Sequence, residues 1–175
     1  MPPFSYITSS LTGNKISVNI KTQDLEERLR LNVSESIVID IDNHGNIYNI
    51  NRKGKIIKQG NKVAILNFGA RLKECLLAHE DLKKKGIDIT IADARFAKPL
   101  DENLIWQLAT DHEIIISIEE GSIGGFGSHV SHFLSEKNLL DKNLKFRSMI
   151  LPDVFLDHNN PEIMYKNAGL DAQSI

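Results

Sequence analysis

With 175 residues, 41% hydrophobic and 25% charged, the chain matches one ordinary globular domain with room for a small appendage. Its net charge of −2 gives no electrostatic reason for a nucleic-acid or membrane partner, and its single cysteine excludes an internal disulfide framework and a cysteine-based zinc site. No apolar run approaches the roughly 20 residues that span a bilayer, and the opening MPPFSYITSS lacks the basic start and apolar core of a secretory signal. A cytoplasmic location is the expectation.

The first 60 residues are expected to form an N-terminal arm or divergent linker. Within it, 23–31 (QDLEERLRL) has helical patterning. The alternating run 36–42 (SIVIDID) leads through Asn43, His44 and Gly45 into 46–51 (NIYNIN), which predicts a β-hairpin. Residues 52–61 (RKGKIIKQGN) are a basic lead-in in which Arg52, Lys53, Lys55 and Lys58 face solvent.

Residues 61–175 are expected to form the main domain. A buried strand at 62–67 (KVAILN) is ended by Gly69, and a helix follows over 70–85 with Leu72, Cys75, Leu76 and Leu82 on one face. Lys83, Lys84 and Lys85 suit the negative end of its dipole, and Gly86 stops it. A strand at 88–92 comes next. Pro99 and Asp101 then open a helix, with Asp101 as N-cap, that buries Leu104, Ile105, Leu108 and Ala109. The run 113–118 (EIIISI) is the most apolar strand and belongs at the centre. After it, Phe126, Val130, Phe133 and Leu134 form a helical stripe, 144–150 gives another strand, and 160–167 a last helix. Strands and helices alternating at these lengths predict an α/β fold, a mostly parallel sheet with helices on both faces.

The polar residues concentrate where the central strand ends. Glu119 and Glu120 point opposite ways on a strand, so one is free to cap the following turn while the other faces a cleft. The cluster Gly121, Gly124, Gly125 and Gly127 does not match G-x-G-x-x-G, and it favours close packing of the turn against a neighbour over a phosphate cradle. His129 and His132 share a helix without an evident third metal ligand. Arg95 and Lys98 form a cationic loop expected to pair with an acidic neighbour. Cys75 reads as core. His158, in Asp157-His158-Asn159-Asn160-Pro161, is the best single candidate for a site residue, against the plainer reading of a histidine satisfied by its own loop.

The blocks GKIIKQGNKVAILNFGARL, ADARFAKPLDENLI, EEGSIGGFGSHV, LPDVFLDH and NAGLDAQSI occur in that order from about Gly54 to Ile175. This segment resembles the C-terminal domain of 1-deoxy-D-xylulose-5-phosphate synthase, a thiamine-diphosphate transferase of the transketolase superfamily. The resemblance implies a part in condensing pyruvate with glyceraldehyde 3-phosphate for isoprenoid precursor synthesis. It also implies that the diphosphate and magnesium are held by an N-terminal domain and the thiazolium by a middle domain. No catalytic, cofactor-binding or metal-binding residue is therefore expected in this chain. The arginine–tyrosine–proline–arginine–glycine tract that usually precedes this domain has as its nearest counterpart Ser5-Tyr6-Ile7-Thr8-Ser9, with Thr8 where the phosphate-holding arginine would stand. Residues 11–51 have no clear counterpart.

The chain is accordingly expected to be a C-terminal domain, fragment or split subunit, inactive alone. Its expected partners are the missing synthase domains or a second copy. Glu120, Gly124, Gly125, Phe126, Gly127 and His158 are the candidate interface or pocket residues. The alternatives are a degenerate non-enzymatic remnant and a stand-alone interaction module that binds through its sheet edge or glycine turn.

Overall fold

Strands flanked by helices on both sides must be apolar on both faces, and the runs VAIL, ITIA and IIISI meet that demand. The computed structural model describes residues 53–175 in full and, before them, the backbone of four strands. These residues fall into two units, Met1–Arg52 and Lys53–Ile175. In the first unit, β1 (Ile7–Thr12) pairs antiparallel with β2 (Lys15–Ile20), and β3 (Ile39–Ile41) with β4 (Ile47–Ile50). The second pair falls within the segment read as a hairpin. The β1–β2 pair goes beyond that reading, and the helix expected at 23–31 lies outside the described residues.

The second unit contains β5 (Lys55–Lys58), β6 (Asn61–Asn67), α1 (Leu72–Lys84), β7 (Ile89–Asp93), α2 (Glu102–Asp111), β8 (Ile114–Ile118), α3 (Phe126–Glu136), β9 (Lys145–Met149) and α4 (Pro161–Asn167). Its five-stranded sheet has the order β5-β7-β6-β8-β9; β6 to β9 are parallel and β5 is an antiparallel edge. The lead-in is thus partly a strand. Its sequence, KIIK, is too short and too flanked by lysine to read as one, and the pairing of Lys55 with Asp93 and Ile56 with Ala92 makes it so. Gly60 permits the approach, since a Cβ there would lie 2.7 Å from Ile89 Cα.

Alternation along the strands sorts side chains between two cores. Ala64, Leu66, Ala92 and Ile115 meet Leu104, Leu108, Val130 and Leu134 of α2 and α3. Ile65, Ile89, Ile91 and Ile118 meet Cys75 of α1, with Tyr165 of α4 and Leu170 beyond it. Each fully buried branched side chain contributes about 2 kcal/mol. Burial therefore carries the fold, and the polar contacts decide how the loops are shaped. α1 ends at Lys85 before Gly86, whose φ is +79°. Asp101 caps α2, accepting from Leu104 N–H at 3.1 Å, and its second oxygen accepts from Gly54 N–H at 2.8 Å, which ties the entry of β5 to the helix.

Candidate functional site

From β6 the chain winds to β7 on one side and then crosses back to β8 on the other, so its direction of travel reverses between β6 and β8. Loops at the C-terminal ends of such strands flank the crevice where α/β sheets bind ligands. Here the crevice is bordered by 68–71 after β6 and 119–125 after β8.

The alternation of β8 decides where its two terminal carboxylates go. Ile115, Ser117 and Glu119 face α2 and α3, whereas Ile116, Ile118 and Glu120 face α1 and α4. Glu119 is 4% exposed. Its Oε2 accepts from Phe126 N–H at 2.9 Å and its Oε1 from Gly127 N–H at 2.8 Å. Gly125, the N-cap of α3, has no side chain to satisfy the free amides of the first turn. Glu119 does so from the preceding strand, with its charge on the positive end of the dipole. The glycines clear space for that carboxylate: a Cβ on Gly121 would lie 2.6 Å from Oε2, and one on Gly125 would collide with it. One on Gly127 would stand 2.8 Å from Ser117 Oγ.

Glu120 turns the other way. Arg71 Nε donates to its Oε1 at 2.9 Å, and Ala70 N–H donates to Oε2 at 3.4 Å. The Arg71 guanidinium lies 3.8 Å above the ring of Tyr165, a cation–π contact. Tyr165 donates its phenol proton to Glu120, and this hydrogen bond, more than burial or charge, holds that proton above the ordinary phenol range. On the opposite face, Phe68 stacks on Phe126 with ring centroids 5.0 Å apart. The switch-point crevice is therefore lined by partners that already satisfy one another.

The remaining candidates lie elsewhere. Gly124 sits on the exposed crest of the turn beside Ile123, and its N–H donates to Ser128 Oγ at 2.9 Å. His158 is exposed in the loop between β9 and α4, two residues before Asn160, whose Oδ1 caps α4 by accepting from Glu162 N–H at 3.0 Å. His132 lies 3.9 Å from Glu136. Among the described residues, no three histidine, cysteine or acidic side chains are placed to hold one metal ion. Arg95 N–H donates to Asp93 Oδ1 at 3.2 Å. Burial pushes the Cys75 thiol up to about 12, and the thiol lies 3.9 Å from Asn67 Oδ1. Sequence reasoning missed Arg71, Tyr165 and Ser117. The position of Arg71 just after the turn that ends β6 is a signal for the first, and only the tertiary fold brings in the second.

The family described as transketolase, C-terminal domain, matches residues 52–175. The chain belongs to it. A solved structure described as a split-gene transketolase, an inactive beta4 tetramer, is 28% identical with a TM-score of 0.63, over 70% of this chain and 39% of that one. A transketolase mutant from Pichia stipitis in complex with xylulose 5-phosphate shares the fold at 16% identity and TM-score 0.51, over 70% of this chain and 17% of that one. The chain thus spans well under half the length of either solved transketolase.

Transketolases imply thiamine diphosphate and a divalent metal. The described residues of this domain do not fit that group. The amides that would meet a diphosphate at the glycine turn are taken by Glu119, and no three-residue acidic or histidine cluster accompanies them. Among the described residues, no helix is long and apolar enough to cross a membrane.

Proposed function

We propose that the chain is the C-terminal domain, fragment or split subunit of a 1-deoxy-D-xylulose-5-phosphate synthase acting in the cytoplasm. The complete enzyme would condense pyruvate with glyceraldehyde 3-phosphate on thiamine diphosphate and magnesium held by other domains. Within it this domain has a structural and interfacial role and is inactive by itself. Membership of the transketolase C-terminal family across 52–175 is the observation that carries this reading, and the ordered motifs quoted above supply its narrower part. The self-satisfied crevice favours a supporting domain over an independent catalyst. The neighbour described as a split-gene transketolase supports a partner chain or a second copy as the natural companion. The glycine turn, with Ile123 72% exposed, and the loop carrying Phe155, 94% exposed, supply apolar surface for such a partner.

Reconstitution tests the proposal. The purified chain is mixed with a synthase lacking its last domain, and pyruvate-dependent product is followed with thiamine diphosphate and magnesium present. Activity in the mixture, with none from the chain alone, is the expected result. Product from the chain alone, or a folded chain that neither binds nor restores activity, contradicts it.

A further inference from the structure

A strand at the edge of a sheet offers half of its backbone groups to whatever lies beside it. β9 is such a strand, the last in the order β5-β7-β6-β8-β9. Lys145 N–H donates to Glu113 O at 2.9 Å, and Met149 O accepts from Glu119 N–H at 3.1 Å. Residues 145, 147 and 149 therefore turn their backbone groups to β8, and Phe146 and Ser148 turn theirs outward. Among the described residues, neither N–H of that outward pair meets a backbone carbonyl. One outward group is occupied: Arg147 Nη1 donates to Phe146 O at 2.7 Å. Arg147 and Lys145 share one face of the strand and are both exposed. Neither forms an ion pair among the described residues.

We propose that β9 is a docking edge for an extended acidic segment of a partner chain, which adds to the sheet as a further strand. Lying antiparallel, such a segment pairs with the backbone of Phe146 and Ser148 and sets alternate carboxylates opposite Lys145 and Arg147. Arg147 then exchanges a carbonyl for a carboxylate, the stronger acceptor for a guanidinium, and frees Phe146 O for the incoming strand. The residue between the carboxylates falls on the other face, beside Phe146, which packs against the α2–α3 core, so it is apolar. A second copy of β9 brings two cations and no carboxylate, and self-pairing would set like charges across the seam. The inference is independent of the synthase reading and uses a surface other than the one carrying Ile123 and Phe155.

The test titrates the isotope-labelled full chain with a short blocked peptide of alternating glutamate and valine, and separately with one of alternating lysine and valine. Expected with the acidic peptide alone are saturable shifts at the Phe146 and Ser148 amides, weakened by added salt. Hydrogen exchange of those two amides should slow at least about tenfold. The Lys145 and Arg147 amides, already turned to β8, should exchange as before. Arg147→Glu should weaken the acidic peptide about tenfold. Ser148→Pro removes an outward donor that β8 does not use, a change edge strands accept, and should abolish the response at Phe146. Should Ser148→Pro fail to fold, Arg147→Glu decides. No binding, equal binding of the two peptides, or shifts centred away from β9 overturn the proposal. Shifts at Phe146 and Ser148 on concentrating the chain alone also overturn it, because a second copy is then the occupant.

Discussion

At the C-terminal end of the sheet the polar side chains are ionic: Glu119 on the α3 amides, and Glu120 on Arg71 and Tyr165. At the N-terminal end a buried chain without a carboxylate sits beside the exposed Lys62–Glu113 ion pair, 3.5 Å apart. There Gly60 N–H donates to Thr90 Oγ1 at 3.0 Å, Thr90 Oγ1 lies 2.7 Å from His112 Nε2, and His112 Nδ1 lies 3.0 Å from Leu108 O. A carbonyl only accepts, so Nδ1 carries a proton. That chain joins the turn before β6, β7 and the end of α2 inside the wall of the domain. The ionic contacts fix two loops around a crevice. The first arrangement needs only a partner for each group, whereas the second depends on charge and on protonation state.

The largest predicted effect falls on the ionic end. Glu119→Ala leaves two buried amides without acceptors and should cost about 3 kcal/mol in urea unfolding. The chain through Thr90 is next. Thr90→Val strands both Gly60 N–H and His112 Nε2 and should cost about 2 kcal/mol. A loss at Thr90 equal to or exceeding that at Glu119 would break the comparison.

Much of this was legible in the sequence, for identifiable reasons. Buried parallel strands are continuous apolar runs, so 62–67, 88–92 and 113–118 fall within a residue of β6 to β8, and 144–150 does the same for β9, a more exposed strand at the sheet edge. The divergence of Glu119 and Glu120 follows from alternation, but which of them meets α3 depends on the register of β8 between its two helical layers. β5 escaped because its strand character comes from β7 beside it rather than from KIIK itself. The β1–β2 pair carried a signal that went unused, Gly13-Asn14 between two runs rich in β-formers. Arg71 and Tyr165 are far apart in sequence, and no local pattern joins them.

Alkaline pH should sharpen the contrast. The folded chain keeps the Cys75 proton up to about 12, while the unfolded chain releases it near the ordinary 9.0. Stabilisation from this group is complete below pH 9 and lost as pH rises toward 12, amounting to about 2 kcal/mol by pH 10.5. Tyr165 acts in the same direction, since its proton is also retained on folding. Unfolding curves at pH 8 and 10.5 should therefore diverge, and Cys75→Ala should remove most of the divergence. A parent chain equally stable at both pH values would contradict this.

The smallest effect is at Arg71. Its side chain is 16% exposed and that of Glu120 27%, so water screens the pair in part. Arg71→Ala should cost about 1 kcal/mol, and a double-mutant cycle with Glu120→Gln should return most of it as coupling. A coupling near zero would remove Arg71 from the account of the crevice.

The switch-point crevice is closed by the chain's own groups, Glu119 on the α3 amides and Glu120 on Arg71. Titrating the isotope-labelled full chain with thiamine diphosphate and magnesium, while following the backbone amides of residues 119–127, tests that closure most directly. The account predicts resonances that do not move through the titration. Saturable shifts centred on Phe126 and Gly127 would contradict it.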